Sequence, residues 1–171
     1  MLVLGVDPGS RATGYGLVEK DGQRVRYIDA GVIEAPGRKP FPERIHAVFH
    51  SMVEIMSLHH PGQMAIEDIF FAKNAKSALK MGHARGAVLV AAVHCGVSVH
   101  EYSPAEIKQA VVGYGRATKE QVRAMVKVIL GLGFKPGLDA SDALAAAICH
   151  MNWSRFCSCR PQGHTSKGRN G

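Results

Sequence analysis

The order in which strand and helix patterns follow one another is the feature that most restricts how this chain can fold. Three β-rich apolar runs stand close together at the start, and Lys20-Asp21-Gly22 between the second and third is a hairpin turn signal. Stripes of apolar residues at helical spacing then alternate with two further strand-like runs. The predicted elements are strands 2–6, 15–18 and 25–33, helix 41–58, strand 63–66, helix 74–94, strand 97–102, a helix that starts at 104, and helices 122–130 and 139–150. This order predicts an α/β protein with a mixed five-stranded sheet, an antiparallel meander followed by parallel strands, and helices on both faces.

Two of the predicted helices begin with the same capping signal. Ser103 is followed three residues later by Glu106, and Thr118 is followed in the same way by Gln121. Each pair has the pattern of a capping box, in which the two side chains bond to the free backbone N–H groups of a first helical turn. We therefore expect helices to start directly after Ser103 and Thr118.

The length of 171 residues fits one domain. We divide the chain into a folded domain, 1–152, and a polar, basic tail, 153–171, that we expect to be flexible. No run reaches the roughly 20 apolar residues that a membrane-spanning helix needs. The four cysteines match no disulfide framework, which predicts a reduced protein in the cytoplasm. Cys157 and Cys159, with His164 nearby, hint at a metal site, but free thiols are the favoured interpretation.

The formal net charge of +7 is concentrated in the middle of the chain. Residues 73–135 carry 10 basic and 3 acidic side chains, whereas residues 1–72 carry 7 basic and 9 acidic ones. Such a local excess predicts a surface for a polyanion such as nucleic acid. A solvated basic face without a partner is the alternative.

Four carboxylates stand at positions that suggest a shared site. Asp7 ends the first predicted strand and Glu67 ends the fourth, while Asp139 and Asp142 lie on one face of the last helix. A carboxylate at a buried strand end is costly unless it is paired or binds a cation. Carboxylate oxygens suit Mg²⁺ or Mn²⁺, and two such ions can stabilise both the attacking and the leaving oxygen in phosphodiester hydrolysis. The pattern predicts a metal-dependent site for cutting nucleic acid.

Each of these carboxylates also has a simpler structural interpretation. Asp139 is suited to cap the last helix, where Asp142 would be favoured by the helix dipole. Asp7-Pro8-Gly9 is also an ordinary turn sequence, and Glu67 with Asp68 is also a solvated pair at a strand end. The residues alone leave both interpretations open.

Four segments resemble, in order, the motifs of one nuclease family. They are Gly5-Val6-Asp7-Pro8-Gly9-Ser10 with Thr13-Gly14-Tyr15-Gly16; Ala65-Ile66-Glu67-Asp68-Ile69-Phe70 with Ala72-Lys73-Asn74-Ala75; Val111-Val112-Gly113-Tyr114-Gly115 with Lys119; and Asp139-Ala140-Ser141-Asp142-Ala143-Leu144-Ala145. In this register the chain resembles the RuvC-type Holliday junction resolvases over roughly residues 1–152. Each motif is weak by itself, but the four in order are highly specific.

The resemblance implies an RNase H-like fold, a homodimer and a metal-dependent endonuclease that resolves four-way DNA junctions in recombination and repair. Its symmetric paired nicks would leave 5′-phosphate and 3′-hydroxyl ends. Two Mg²⁺ ions per subunit, replaceable by Mn²⁺, are implied with a metal-activated water as the attacking group. The implied metal ligands, also counted as catalytic, are Asp7, Glu67, Asp139 and Asp142. Lys108 and Lys119 match the lysines that would offset charge at the scissile phosphate.

Further residues of these segments are implied as DNA contacts. Phe70 matches an aromatic side chain that contacts bases near the junction, with core packing as the alternative. The full set is Phe70, Lys73, Asn74, Lys76, Lys80 and Arg116. The family also implies work with a branch-migration complex of the RuvA and RuvB type. Asp68 stands where some members carry an uncharged residue, and the resemblance gives it no role.

Three other functions can be weighed against these features. Actin-like ATPases and sugar kinases share a loop like Asp7-Pro8-Gly9-Ser10, but they need a second lobe and a second Asp-Gly-rich loop. A related RNase H-like family that processes ribosomal RNA is usually shorter and fits residues 70–74 poorly. A junction-binding protein without activity would not need four carboxylates facing DNA.

The helix predicted at 74–94 is the candidate dimer interface. Gly82 and Gly86 lie four residues apart on one face, which would let another backbone approach closely. Residues 87–93 are apolar all round, so we expect them to be buried in a core or an interface. A helix packed only within its own domain is the alternative.

Overall fold

Ten strands and helices follow one another in the predicted order along the part of the chain that the structure describes. The computed structural model describes residues 1–9, 11–22, 24–35, 37–68 and 75–157, with only the backbone given for 154–157. The strands are β1 (Leu2–Asp7), β2 (Ala12–Asp21), β3 (Arg24–Glu34), β4 (Gln63–Glu67) and β5 (Ser98–Tyr102). The helices are α1 (Phe41–His59), α2 (Ala75–His94), α3 (Pro104–Val112), α4 (Lys119–Ile129) and α5 (Leu138–Cys157).

Strand β1 lies at the centre of a five-stranded sheet with the order β3-β2-β1-β4-β5. It pairs antiparallel with β2 and parallel with β4, which in turn pairs parallel with β5. The carboxyl ends of β1, β4 and β5 therefore lie at the same edge of the sheet. The predicted mixed sheet is confirmed, and its arrangement is the RNase H-like one that the resemblance implies.

The sheet separates two hydrophobic cores, because successive side chains of a strand point to opposite faces. On one face, Leu4 of β1 belongs to a cluster with Met52 of α1 and Val88 of α2. On the other face, Val3 belongs to a cluster formed with α3, α4 and α5, including Leu144. Helices cover both faces of the sheet, as predicted.

Both predicted capping boxes are present. The backbone N–H of Glu106 donates to the Ser103 hydroxyl, and the Glu106 carboxylate accepts from the Ser103 backbone N–H. Thr118 and Gln121 exchange the same pair of hydrogen bonds. These boxes fix the starts of α3 and α4, and Lys119 is the first residue of α4.

Strand β2 and helix α5 are longer than predicted. Strand β2 runs from Ala12 to Asp21 rather than from 15 to 18, and its start was missed because Gly14 lacks β-propensity but serves the packing described below. Helix α5 continues beyond residue 150 to Cys157, so the predicted end is wrong. Buried Met151, and Asn152, whose side-chain amide donates to the Ala110 carbonyl, hold this last part against the domain.

The predicted tail lies only partly within the described residues. Residues 153–157 are helical, while 158–171, with Cys159 and His164, lie outside the described residues. The boundary at 152 and the flexibility of the tail stay predictions. No helix among the described residues is long and apolar enough to cross a membrane.

Helix α2 is buried on one side only. Ala87, Val88 and Ala91 lie in the core, whereas Val90 is 61% and Val93 is 76% exposed. Within this chain, residues 87–93 are therefore buried only on the side that faces the sheet, and not all round as expected.

Candidate active site

Asp7 and Glu67 are brought to the same edge of the sheet by strand pairing. They are the last residues of β1 and β4, which run parallel in a register that pairs Val6 with Ile66. Both side chains are half-buried. The predicted meeting of these two carboxylates follows directly from the topology.

Helix α5 reaches this edge because glycines on β1 and β2 leave room for its backbone. A Cβ atom at Gly14 would stand 2.1 Å from the Asp139 carbonyl oxygen, a distance that no side chain tolerates. Gly16 is similarly close to Leu144, with Cβ-to-side-chain distances of 2.7 Å. Since Gly14 pairs with Asp7, the start of α5 lies directly over the end of β1. Asp139 is the second residue of α5, within its first turn, rather than the residue that caps it.

The two predicted lysines line a small cavity together with two of the carboxylates. The cavity has a volume of about 40 Å³, and its walls include Glu67, Lys108, Lys119 and Asp142. Lys119 Nζ donates to Asp142 Oδ2 at 2.5 Å. The Asp142 side chain is 12% exposed and that of Lys119 is 64% exposed, so the pair links a nearly buried carboxylate to an ammonium group open to solvent.

The carboxylates lie close enough to disturb one another's ionisation. Burial, followed by the charges of Asp142 and Glu67, raises the pKa of Asp7 from 3.8 to about 7. Burial and Asp142 also raise the pKa of Glu67, while Lys119 and Lys108 act in the opposite direction. The hydrogen bond to Asp142 raises the pKa of Lys119. The site thus carries more buried negative charge than its lysines neutralise.

This set of donors fits a hard divalent cation. Carboxylate oxygens are the ligands that Mg²⁺ and Mn²⁺ prefer, and a dication would offset both the burial and the neighbouring charges that raise the pKa of Asp7. In the arrangement seen here, Asp142 is bonded to Lys119 instead. No three His, Cys, Asp or Glu side chains among the described residues surround a single ion position. The side chains would therefore have to turn towards a bound ion.

Arg85 of α2 contacts the same edge, although no motif in the sequence singles it out. Its Nη1 donates to the Glu67 carbonyl oxygen at 2.5 Å. Its Nη2 bonds to the Glu101 carboxylate and lies 3.7 Å from Asp68 Oδ1. A lone arginine within a helix has no motif of its own, so only the packing of α2 against β4 and β5 reveals these contacts.

A family model described as Crossover junction endodeoxyribonuclease RuvC matches residues 3–150. The chain belongs to the RuvC family. This agrees with the order of the four motifs and with the carboxylates that the fold brings to one edge.

Named relatives of this RuvC family member match nearly its whole length. The crossover junction endodeoxyribonuclease RuvC of Marinobacter nauticus is 49% identical over 170 residues, which cover 98% of this chain and 97% of the relative. That of Citrifermentans bemidjiense is 53% identical over 152 residues, 89% of this chain and 93% of the relative. Among solved structures, T. thermophilus RuvC in complex with a Holliday junction substrate superposes with a TM-score of 0.88 at 38% identity, covering 92% of this chain and 97% of that one.

The DNA contacts implied for RuvC proteins fall into two groups here. Lys76 and Arg116 are exposed and Lys80 is half-buried, which leaves these cationic groups at the surface. Phe70, Lys73 and Asn74 lie outside the described residues, so both interpretations of Phe70 stay open. The roles of all these residues stay predictions.

Proposed function

We propose that this RuvC family member is a metal-dependent endonuclease that resolves Holliday junctions in DNA recombination and repair. The supporting observation is the half-buried carboxylate group at the carboxyl ends of β1 and β4, faced by lysines, in a chain of this family. Paired nicks of like polarity, each leaving a 5′-phosphate and a 3′-hydroxyl, are the reaction that we propose. The T. thermophilus relative, whose structure contains a Holliday junction substrate, supports this choice of DNA.

The proposed metal ligands are Asp7, Glu67, Asp139 and Asp142. Two Mg²⁺ ions per subunit, with Mn²⁺ as a substitute, would suit four carboxylates in a site where negative charge is in excess. Bound cations of this kind lower the pKa of water and stabilise charge on phosphate oxygens. The protein's own part is to hold four oxygen donors at the point where two strands and a helix meet.

Lys119 and Lys108 are proposed to act on the DNA phosphate. Both face the cavity shared with Glu67 and Asp142, and Lys119 is largely open to solvent. Their ammonium groups would draw the scissile phosphate to the carboxylates and offset the negative charge that grows on its oxygens in the transition state.

The exposed side of α2 is proposed as the homodimer interface. Leu79, Val90 and Val93 are between 61% and 76% exposed and lie on one stripe of the helix. Between them, Cβ atoms at Gly82 or Gly86 would meet nothing within 4 Å among the described residues. A second copy could therefore approach closely at the glycines while it covers the apolar side chains. Two subunits would place one active site on each of two strands.

Cooperation with a branch-migration complex of the RuvA and RuvB type, in the cytoplasm, completes the proposal. It rests on membership of the family. Purified complexes of that type, added to a cleavage reaction, should increase the yield of resolved products from a mobile junction.

The decisive experiment is cleavage of a synthetic four-way junction in the presence of Mg²⁺. We expect two symmetric nicks whose products can be religated, and we expect Asp7→Asn to abolish cutting while junction binding in EDTA persists. Asp21→Asn, at the exposed last residue of β2, is the matched control and should cut normally. Cutting that survives in Asp7→Asn would contradict the proposed site, and equal affinity for linear duplex and junction would contradict the proposed substrate.

A further inference from the structure

The guanidinium group of Arg85 joins three backbone and side-chain acceptors at the active edge of the sheet. It donates to the Glu67 carbonyl oxygen, bonds to the Glu101 carboxylate and lies close to Asp68. The Arg85 side chain is only 11% exposed, whereas those of Asp68 and Glu101 are 48% and 52% exposed. Arg85 therefore places a largely buried positive charge at the active edge of the sheet.

Arg85 contacts β4 at Glu67, where the pairing of β4 with β1 has ended. The β1–β4 register ends at Val6 and Ile66, while the β4–β5 register continues through Glu67 and Tyr102. On the β5 side, the Asp68 backbone N–H donates to the Tyr102 carbonyl oxygen at 2.8 Å. Arg85 bonds to the Glu67 carbonyl oxygen. Both the C=O and the N–H of the peptide group between Glu67 and Asp68 are therefore held by hydrogen bonds.

We propose that Arg85 is a positioning residue, which fixes the backbone of Glu67 and thereby the direction of the Glu67 carboxylate towards a bound cation. This inference rests on the function proposed above. Asp68 and Glu101 complete the arrangement, because their negative charges hold the other side of the guanidinium fork. Asp68, which the family resemblance leaves without a role, gains one here as a partner of Arg85.

The planar fork of arginine is what the geometry requires. One nitrogen bonds to a carbonyl and another to a carboxylate, whereas the ammonium group of a lysine is a single point that cannot span the same acceptors in the same plane. Groups that orient metal ligands from outside typically affect metal affinity or activity by about 10-fold to 100-fold. We expect an effect of this size from the loss of Arg85.

The test compares Arg85→Met and Arg85→Lys with the wild-type protein and with Arg26→Met. Arg26 pairs with Glu19 at 2.6 Å on the β2–β3 hairpin and serves as the matched arginine–glutamate control. For each protein three quantities are measured: Mn²⁺ binding to the metal-free form by calorimetry, the Mg²⁺ concentration that gives half-maximal single-turnover cleavage, and junction affinity in EDTA.

We expect Arg85→Met to weaken Mn²⁺ binding and to raise the Mg²⁺ midpoint by about 10-fold to 100-fold, with junction affinity in EDTA changed less than about 2-fold. Arg85→Lys should recover little of this loss, and Arg26→Met should match the wild type. An unchanged Mn²⁺ affinity in a folded Arg85→Met protein would overturn the inference. So would a loss of junction affinity in EDTA as large as the loss of cleavage, because Arg85 would then be a DNA contact.

Replacement variants and the wild-type protein separate the role of Arg85 from the proposed function. If Arg85→Met does not fold, Arg85→Lys and Glu101→Gln take its place, and unchanged Mn²⁺ affinity in both overturns the inference. A wild-type protein that binds Mn²⁺ but does not cut junctions would count against the proposed function. A cutting wild type with an unaffected Arg85→Met would count against the role of Arg85 alone.

Discussion

The carboxyl group of Asp7 lies where ionisation is unfavourable as long as no cation is bound. It is half-buried, it ends a central strand, and the charges of Asp142, Glu67 and Asp139 surround it. Lys119 offsets only part of this negative charge, since its own hydrogen bond goes to Asp142. Ionisation of Asp7 therefore lowers the stability of the metal-free protein.

The first prediction concerns the stability of the metal-free protein against pH. Folding raises the pKa of Asp7 from 3.8 to about 7, so the stability that this group contributes is fully present below its unfolded pKa and is lost as the pH rises towards 7. Asn at this position stays neutral. In EDTA at pH 8, Asp7→Asn should therefore be more stable than the wild type by up to about 4 kcal/mol, and by little at pH 4.

Denaturant unfolding at the two pH values measures this difference. Asp21→Asn, at the exposed end of β2, should change stability little at either pH. An Asp7→Asn protein that is no more stable than the wild type at pH 8 would show that burial and the neighbouring carboxylates do not raise the pKa of Asp7.

Single residues could be predicted where a side chain of suitable chemistry stands at the end of a predicted strand or the start of a predicted helix. The four carboxylates could be proposed because each lies at the end of a predicted strand or near the start of a predicted helix, whereas Lys119 was proposed from the family resemblance. The contacts of Arg85 could not be found, since they join α2 to the ends of β4 and β5, which are distant in sequence. The bond between Lys119 and Asp142 also depends on how α4 packs against α5.

At the scale of elements, the close packing of α5 on β1 and β2 decides whether a site exists. A Cβ atom at Gly5 would lie 1.9 Å from the Ala143 carbonyl oxygen and 2.9 Å from the Ala147 Cβ. The helix could relieve these contacts only by moving away from the sheet, and Asp139 and Asp142 would move with it.

The second prediction follows from this packing. Gly5→Ala should destabilise the protein by about 3 kcal/mol or more through overpacking, and cleavage should fall by more than the remaining folded fraction explains. Gly133→Ala is the matched control, because a Cβ atom there meets nothing within 4 Å among the described residues. Thermal unfolding and single-turnover cleavage measure the two effects. Full activity in a stable Gly5→Ala protein would contradict the importance of the close approach.

Element boundaries were predictable where local chemistry marks them. The capping boxes gave the starts of α3 and α4, since the bonds involved are formed within three residues. The start of β2 and the end of α5 were predicted wrongly because both depend on tertiary packing. Gly14 fits a strand only because α5 lies over it, and the polar end of α5 is helical while Asn152 bonds to α3.

Over the whole molecule, apolar and charged surfaces point to two different partners. The exposed stripe of α2 is the proposed surface for a second copy of the chain, while Lys76, Lys80 and Arg116 are the proposed contacts to DNA phosphates. The sequence predicted a mixed five-stranded sheet with helices on both faces, because a meander followed by alternating elements has few solutions. It could not show which side of α2 remains exposed, as the helix is apolar all round near its end.

The third prediction tests the proposed dimer. Val93→Asp places a charge on the exposed stripe of α2 and should convert a dimer into monomers, observed by analytical ultracentrifugation. Val128→Asp is the matched control, since Val128 of α4 is 73% exposed against 76% for Val93. Monomers in both variants, or in neither, would contradict the placement of the interface on α2.

The contact between Gly5 and Ala143 joins β1 to α5, the first strand and the last helix of the described residues. Such a contact has a very large separation in sequence, and contacts of this kind form late in folding. During synthesis the amino-terminal strands leave the ribosome first, so the carboxylates of β1 and β4 are made before those of α5. A chain that is released early, before α5 has been made, lacks Asp139 and Asp142 and has no complete site. The fold therefore makes the proposed site dependent on the synthesis of α5.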